Sequence, residues 1–506
     1  MTQPADPLGI VKIPAGIAGF DHISLGGLPA GASTLLSGTS GSGKTVFGVQ
    51  FLIGGLRELG DPGVFVTFEE PPEKIIRHMH GFGWDLAREI DADKLRIVDA
   101  TPEPGEQILL AGTFDFAALM ARIEYAIRQI DAKRVVMDSL AAVFPQFGDA
   151  ALVRRELHRI VHGLAKLGVT TIITMERGEE YGEIARFGVE EFVADNVMIL
   201  RNPLDRERRR RTIEILKFRG TNHQKGEYPL TIDPRNGITV IPLSAIELKQ
   251  PSSTVRISSG NAEIDKMCGG GIFRDSIILV SGATGTGKTL MVAKLTEAAI
   301  QRDQRVLLFA YEESRAQLVR NAASWGVGLP DAEDANLLRV VCRYPETLGL
   351  EDHLIQIKEQ IEDFKPGLIA IDSLSALERV SSFKPFREFV IGLTSHVKSK
   401  QMAGMFTNTT SMLMGGESVT ESHISTIADS IVLLRYVELH GEMRRGITVL
   451  KMRGSWHDRS IREYVVTDKG MDLREAFRDV HGILAGNPMV SISQERDRLA
   501  GMFEAT

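Results

Sequence analysis

GTSGSGKT at residues 38–45 and GATGTGKT at residues 282–289 decide the fold. Both match the P-loop pattern GxxxxGK[ST], and each stands between a short apolar run and a helical pattern, at 46–56 and 290–300. Glycines let the backbone wrap around phosphates, and a helix N-terminus favours negative charge. A glycine-rich turn with an incidental lysine is the alternative, but two copies in matching context favour two nucleotide-binding loops. The predicted loop contacts are Ser40, Gly41, Ser42, Gly43, Lys44 and Thr45, and then Thr284, Gly285, Thr286, Gly287, Lys288 and Thr289.

The whole chain repeats around these loops. Lys288 lies 244 residues after Lys44, and the Glu pair at 69–70 recurs 243 residues later at 312–313. MDSL recurs as IDSL and LKFRG as LKMRG, both 234 residues later. Asp195 recurs as Asp429 at the same offset, and five motifs in one order indicate the duplication of a whole domain. We expect domains at 1–246 and 247–486 with a tail at 487–506, and the linker near 246–259, where periodicity is lost.

Each half has the pattern of an α/β domain. Short apolar runs at 33–36, 64–68, 135–137 and 171–174 are typical of buried parallel strands. Longer helical patterns stand between them, at 116–131 and 152–167. Alternation of this kind predicts a doubly wound, mostly parallel sheet flanked by helices in each half.

Composition excludes several other classes of protein. The net charge of −7 gives no general attraction to nucleic acid or to an acidic membrane. The 2 cysteines, Cys268 and Cys342, lie outside any zinc-ligand pattern and are few for a secreted chain of this size. No leader pattern opens the chain, and no apolar run is long enough to span a membrane. We therefore expect a soluble, cytoplasmic protein.

The loop lysines and threonines have defined roles in such sites. Lys44 and Lys288 would reach the β- and γ-phosphates of ATP, and Thr45 and Thr289 would bind Mg²⁺. Asp138 and Asp372 each end an apolar strand, where P-loop nucleotidases keep the acid that holds the metal or its water. The alternative for each aspartate is a helix N-cap.

A pair of acids follows a strand about 25 residues beyond each loop lysine. Glu69 with Glu70, and Glu312 with Glu313, are candidates for the general base that accepts a proton from water or a hydroxyl. Paired acids also occur at solvated helix starts, and Pro71 fits that alternative. Spacing alone leaves open which member of each pair is the base.

Two cations follow near the end of each half. Lys217 with Arg219, and Lys451 with Arg453, lie two residues apart on strand-like segments and so share one face. They suit a phosphate contact, including one supplied by a neighbouring subunit. The alternative is an exposed edge strand protected by charge.

The order P-loop, Glu pair, DSL and KxRG, present twice, resembles the circadian clock protein KaiC family. The stretches RNPLDRERRRR, KGEYPLTI, FAYEESRAQLVRNAASWG and KMRGSWHD extend the resemblance over nearly the whole chain. The resemblance implies two tandem RecA-like domains in a double-ring homohexamer, with ATP and Mg²⁺ bound between subunits. It also implies a slow ATPase in the first domain and an autokinase and autophosphatase in the second.

The resemblance assigns further residues. Glu69 and Glu70 would serve hydrolysis, while Glu312 would activate the acceptor hydroxyl and lie at the metal. Trp325 would pack near the adenine of the second site, and the two cation pairs would contact the adjacent subunit's nucleotide. The remaining implied nucleotide contacts are Phe218, Thr221, His223, Arg445 and Met452.

The family's phosphoacceptors lie in a HIST segment. Here that segment makes Ser425 and Thr426 the acceptors, and Thr420 falls on a position where a threonine transiently takes phosphate. At the 234-residue offset, Glu191 and Phe192 stand opposite the two acceptors, so the first domain has no hydroxyl pair there. We therefore expect hydrolysis in the first domain and phosphoryl transfer in the second.

The resemblance also implies partners. A KaiB-like protein would dock on the first-domain ring, at a helix that resembles residues 107–127, and a histidine-kinase-type protein would carry the output. In family members the tail recruits a KaiA-like activator. The short, divergent tail at 487–506 argues against that activator here.

Two other functions stay open from sequence. RecA-like domains also serve nucleic-acid motors and recombinases, and RERRRR at 206–211 is a basic cluster that could serve one, although a surface hairpin explains it equally. The third reading is a nucleotide-gated scaffold with little catalysis.

Overall fold

A computed structural model describes residues 9–101, 116–143, 150–184, 188, 190–205, 207–242, 252–410, 424–478, 480–483 and 489–490. The chain divides into two compact units, Met1–Ala245 and Ile246–Thr506.

The first unit contains thirteen described strands and a series of helices. The strands are β1 Lys12–Ile13, β2 Leu28–Pro29, β3 Ser33–Gly38, β4 Gly63–Thr67, β5 Leu95–Asp99, β6 Arg134–Asp138, β7 Thr170–Glu176, β8 Asn196–Arg201, β9 Leu204–Asp205, β10 Arg208–Arg209, β11 Thr212–Phe218, β12 Glu227–Asp233 and β13 Gly237–Val240. The helices are Phe20–Ile23, Lys44–Leu59, Pro72–His80, Leu86–Asp91, Phe116–Ile130, Ala150–Lys166 and Glu190–Val193, with a 3-10 turn at Leu140–Ala142.

The second unit repeats this series. Its described strands are β14 Arg256–Ile257, β15 Ile272–Phe273, β16 Ile277–Gly282, β17 Val306–Ala310, β18 Leu338–Cys342, β19 Leu368–Asp372, β20 Ala403–Thr409, β21 Ser430–Leu439, β22 Glu442–Met452, β23 Arg462–Thr467, β24 Gly470–Ala476, β25 Val480–His481 and β26 Met489–Val490. Its helices are Ala262–Met267, Lys288–Ile300, Arg315–Ala323, Leu329–Asp334, Leu350–Phe364, Leu374–Arg379, Phe383–Ser399 and Ile424–Ile427, with a 3-10 turn at Pro345–Thr347.

Both units are built on the same nine-stranded sheet. The strand order is β13-β12-β11-β8-β3-β7-β6-β4-β5 in the first unit, and β24-β23-β22-β21-β16-β20-β19-β17-β18 is its counterpart in the second. The six strands from β8 to β5 pair in parallel, and β11, β12 and β13 continue the sheet antiparallel. The predicted fold class, two doubly wound RecA-like domains, is therefore confirmed.

This topology follows from the apolar runs noted in the sequence. Every residue of β3, β4 and β16 is buried, which is what a parallel strand covered by helices on both faces requires. Because the carboxyl ends of parallel strands meet at one edge, the residues that follow β3, β4, β6 and β7 converge there. The P-loop strand lies in the middle of that edge, between β7 and β8.

The helix that follows the first P-loop packs unusually close to the chain's N-terminal segment. A Cβ on Gly54 would lie 2.5 Å from Cα of Gly16, and a Cβ on Gly16 would lie 2.3 Å from Cα of Gly54. Only two glycines allow backbones to approach this closely. The contact fixes the helix Lys44–Leu59, and with it the P-loop at the helix N-terminus.

We expect Gly54→Ala to destabilise the first unit by about 1–3 kcal/mol, because the overpacking outweighs the gain in helix propensity. Gly163→Ala is the matched control in the helix Ala150–Lys166, since a Cβ there meets only the terminal methyl of Met120, at 2.9 Å. Hydrogen exchange of the two helices in increasing urea measures both effects. Equal stability of the two variants would contradict the close-packing account.

Candidate nucleotide-binding and catalytic sites

The two P-loops have the backbone that phosphate binding needs. Gly41 and Gly43 have φ of +75° and +105°, and Gly285 and Gly287 have +79° and +95°. These left-handed values favour glycine. The loops therefore present their amides and the N-termini of the helices that begin at Lys44 and Lys288.

Each loop lysine folds back over its own loop. Lys44 Nζ donates to the carbonyls of Gly38 at 2.9 Å and Thr39 at 3.0 Å, and Lys288 Nζ donates to Gly282 at 2.9 Å and Ala283 at 3.0 Å. Burial lowers the pKa of both lysines below its ordinary value. A buried cation lacks solvation, so each ammonium is a ready partner for phosphate oxygens.

The predicted metal ligands lie together in both units. Thr45 Oγ1 donates to Asp138 Oδ2 at 2.6 Å, and Thr289 Oγ1 donates to Asp372 Oδ2 at 2.6 Å. Burial raises the pKa of both aspartates, so a cation is a favourable partner for each. The N-cap alternative is wrong for Asp138, because Ser139 caps the turn that follows. A hydroxyl beside a carboxylate is an oxygen-donor set that fits Mg²⁺.

The geometry separates the two members of each Glu pair. Glu70 lies 2.6 Å from Lys74 Nζ and 3.7 Å from His78 Nδ1, so it matches the solvated helix start. Glu69 is turned toward the P-loop instead, where burial and the charges of Glu176 and Asp138 raise its pKa.

The second pair is arranged differently. Glu313 accepts from Asn321 at 3.2 Å, on the helix that follows it, and burial raises its pKa. Glu312 instead accepts from Ser373 Oγ at 3.1 Å and lies 2.6 Å from Arg379 Nη2. Glu312 therefore lies beside Ser373, the residue after the strand-end aspartate, while burial together with the charge of Asp372 raises the pKa of Glu313.

A cavity of about 440 Å³ surrounds the first P-loop. It is lined by Ser40, Gly41, Gly43, Lys44, Thr45, Val46, Thr67, Glu69, Glu70, Ile75, His78, Met79, Phe82, Asp138, Ser139, Glu176, Arg211 and Ile232. Sequence reasoning missed Phe82, Arg211 and Glu176. Phe82 and Arg211 stand opposite Trp325 and Arg445 at the repeat offsets, so the repeat could have found them, whereas Glu176 carries no such signal.

Arg211 and Arg445 each lie close to the P-loop of their own unit. Arg211 Nε donates to the carbonyl of Gly41 at 3.2 Å. Arg445 lies over the ring of Tyr436, whose hydroxyl is 3.5 Å from the carbonyl of Thr284 in the second P-loop. Arg445 Nε is buried and has no hydrogen-bond partner among the described residues, which suits an anion at this loop. Trp325 is partly buried against the second unit's core.

The two cation pairs do not lie on an edge. β11 lies between β8 and β12, and β22 lies between β21 and β23, so the edge-strand alternative is wrong. Lys217 and Arg219 are also absent from the lining of the first unit's cavity.

Each cation pair instead holds a short helix in its own unit. Lys217 Nζ donates to the carbonyls of Glu191 and Ala194 at 3.1 and 2.8 Å, and Arg219 Nη2 donates to that of Phe192 at 3.2 Å.

The second unit repeats these bonds at the acceptor segment. Lys451 Nζ donates to the carbonyls of Ser425 and Ala428 at 2.8 and 2.7 Å, and Arg453 Nη2 donates to that of Thr426 at 2.7 Å. Ser425 is buried and Thr426 is exposed in the helix Ile424–Ile427. Thr420 lies outside the described residues.

The other expected nucleotide contacts lie near these cations. Phe218 packs edge-on against His223 at 5.5 Å, and His223 Nδ1 lies 3.1 Å from the carbonyl of Gln224. Thr221 is half-buried in the same turn, and Met452 is buried at the end of β22. Phe218, Thr221 and His223 do not line the first unit's cavity.

The basic cluster forms a hairpin. Arg208 and Arg209 form β10, which pairs with β9, and Arg209 Nη1 donates to the carbonyl of Asn202 at 2.7 Å. The surface-hairpin interpretation is therefore confirmed for the described part of the cluster. Its last member, Arg211, serves the P-loop.

Comparison with known proteins supports the resemblance over both units. A family described as "ATPase: KaiC" matches residues 13–245 and 257–476. The chain belongs to the KaiC family of ATPases. It is 58% identical over 496 residues to "Circadian clock protein KaiC3" of Synechocystis, covering 98% of each chain. It is 56% identical over 503 residues to "Circadian clock oscillator protein KaiC" of Synechococcus elongatus, covering 99% of this chain and 96% of the relative.

Membership of the KaiC family confirms the predicted enzyme class, an ATPase and protein serine/threonine autokinase, and favours it over a nucleic-acid motor. No helix in the described part of the chain combines the length and the apolar character of a membrane span.

We expect Thr45→Val and Thr289→Val each to weaken Mg²⁺-dependent ATP binding at one site, by roughly tenfold, because each removes the hydroxyl beside the aspartate. Calorimetric titration with and without Mg²⁺ measures this. Each variant is the control for the other, since each leaves one site intact. Equal loss at both sites, or loss that does not depend on Mg²⁺, would contradict the ligand assignment.

Proposed function

We propose that this chain is the ATP-hydrolysing, self-phosphorylating core of a circadian or daily-timing system. The first unit hydrolyses ATP, and the second transfers the γ-phosphoryl group to Ser425 and Thr426 and later removes it. ATP is held by Lys44 and Lys288, and Mg²⁺ is held by Thr45 with Asp138 and by Thr289 with Asp372.

One observation carries the division of labour. In both units a Lys and an Arg hold a short helix, and the Arg also pairs with an aspartate at 3.6 Å, Asp195 in the first unit and Asp429 in the second. Only the second unit has hydroxyls on the helix. Lys217 bonds the carbonyls of Glu191 and Ala194 just as Lys451 bonds those of Ser425 and Ala428. The contacts support the pairing of Ser425 with Glu191 at the 234-residue offset.

The bound metal supplies charge neutralisation for the phosphoryl group. Lys288 would hold the terminal phosphates, while Arg445 supplies a further cation at the loop. Glu312 accepts the proton of the acceptor hydroxyl, and Arg379, 2.6 Å away, orients that carboxylate. The acceptor oxygen must lie about 3–3.5 Å from the phosphorus, in line with the leaving oxygen.

Assembly completes the proposed sites. Lys217 and Arg219, with Lys451 and Arg453, contact the nucleotide of an adjacent subunit in a homohexamer. The absence of Lys217 and Arg219 from the lining of the first unit's own cavity supports this placement.

The proposal includes partners. A KaiB-like protein docks near residues 107–127, of which 107–115 lie outside the described residues. Leu119 and Ile123 of this segment are core residues, and Tyr125 is exposed and is the side chain offered to the partner. A histidine-kinase-type protein reads the output, and phosphorylation proceeds without a KaiA-like activator.

We expect phosphate on Ser425 and Thr426 when the protein alone is incubated with Mg-ATP. Glu312→Gln should slow this by about 100-fold while ATP stays bound, because the amide cannot accept the proton. Glu313→Gln, which changes the carboxylate beside Asn321, is the matched control with a smaller effect. Phosphosite mapping checks both. Phosphate mainly in residues 1–246 would refute the assignment, and so would an unchanged rate in Glu312→Gln.

We expect Lys44→Ala to abolish most phosphate release, and Lys288→Ala to abolish most self-phosphorylation. Both should also loosen the hexamer, since nucleotide bound between subunits stabilises assembly by linkage. Native mass spectrometry over a range of ATP concentrations measures the assembly. Hexamers of both variants that persist without nucleotide would place the nucleotide away from the interface.

A further inference from the structure

The two phosphate sites differ at one strand end. In the first unit β3 pairs with β7 so that Gly38 of the P-loop lies opposite Glu176. In the second unit β16 pairs with β20 so that Gly282 lies opposite Thr409. The next residues confirm the match, because the amides of Arg177 and Thr410 donate to the carbonyls of Gly38 and Gly282. Glu176 and Thr409 therefore occupy equivalent positions.

Glu176 faces the place where the terminal phosphate would lie. Its Oε1 is 4.0 Å from Lys44 Nζ, and its side chain is half-exposed to the cavity that also holds Glu69. Glu69 is close enough to feel the charges of Glu176, Asp138 and Lys44. The first site thus has Glu176 beside the loop lysine in addition to the Glu pair and the strand-end aspartate that both units share.

We propose that Glu176 is a second carboxylate that, together with Glu69, holds the water molecule that attacks ATP in the first unit. The inference rests on the proposed function. Water has two O–H donors and can be oriented by two acceptors, whereas a Ser or Thr hydroxyl has one and needs a single acceptor. The two sites differ by one carboxylate, which matches the nucleophile of each: Glu176 stands with Glu69 where water attacks, and the neutral Thr409 takes its place where Glu312 serves a hydroxyl.

The chemical step is balanced within the site. The water oxygen bonds to the γ-phosphorus, and the bond from phosphorus to the β,γ-bridging oxygen breaks, leaving its electron pair on ADP. One water proton passes to Glu69 and then to solvent. The other stays on the new phosphate, on the side of Glu176.

The test exchanges the two residues in the full-length hexamer. Ser425 and Thr426 are both replaced by Ala while first-unit hydrolysis is measured, so that phosphate release does not come from dephosphorylation. Glu176→Thr should lower kcat for phosphate release roughly tenfold or more, with KM for ATP changed less than about threefold. Glu176→Gln, which keeps one acceptor oxygen, should fall between Glu176→Thr and the parent. Glu179→Gln, an exposed acid three residues further on, is the control and should match the parent.

The reciprocal exchange tests the same inference in the second site. Thr409→Glu, made with the acceptors present, should divert ATP from Ser425 and Thr426 to water, seen as less phosphate on the protein and more in solution.

Other outcomes overturn the inference. A higher kcat in Glu176→Thr would make Glu176 a brake that competes with phosphate for Lys44. A rise in KM alone, or loss of one bound nucleotide, would make it a structural partner of Lys44. If phosphate release by the parent survives Lys44→Ala, the assignment of hydrolysis to the first unit fails, whereas Lys44-dependent release that is unaffected by Glu176→Thr refutes only the role of Glu176.

Discussion

Each half of the molecule depends on a hydrogen bond between the threonine in the first turn of the P-loop helix and the aspartate that ends a parallel strand. Thr45 bonds Asp138 and Thr289 bonds Asp372, both at 2.6 Å. The bond joins the helix after β3 to the end of β6, and the helix after β16 to the end of β19. It lies at the edge of the sheet where substrates bind in doubly wound folds. It also keeps a buried carboxylate paired until a cation arrives. The P-loop helices Lys44–Leu59 and Lys288–Ile300 and the loop glycines hold each threonine within hydrogen-bonding distance of its aspartate.

Much of this could be predicted from the sequence because the signals are local. Short continuous apolar runs are typical of parallel strands that are buried on both faces. The glycines of a P-loop pattern indicate positions where the backbone takes a left-handed conformation. The duplication added a second, independent copy of every motif, which excluded chance for the loops and for the two strand-end aspartates. The resemblance to the KaiC family extended that argument to the whole chain.

The side-chain directions could not be read in the same way. Whether Glu69 or Glu70 pairs with Lys74 depends on how the chain leaves β4, and the two adjacent residues carry the same charge. The role of Arg211 was hidden inside a basic cluster, although the equivalence with Arg445 was available from the repeat. A search for repeats could not find Glu176, because the equivalent residue in the second unit is Thr409 and the two are chemically different. The edge-strand alternative for Lys217 and Lys451 failed because strand order is a property of the whole sheet.

The contrast between the halves follows from how a duplicated site can change its reaction. Lys, Thr, Asp and the first Glu of the pair are common to both, so binding and charge neutralisation are shared. What differs is the number of proton acceptors near the terminal phosphate and the presence of a hydroxyl on the helix held by Lys451. Both differences change which nucleophile is oriented, and neither changes the residues that bind the triphosphate. A site can therefore move between hydrolysis and phosphoryl transfer while the fold and the nucleotide stay the same, because selection between nucleophiles needs only side chains at strand and helix ends.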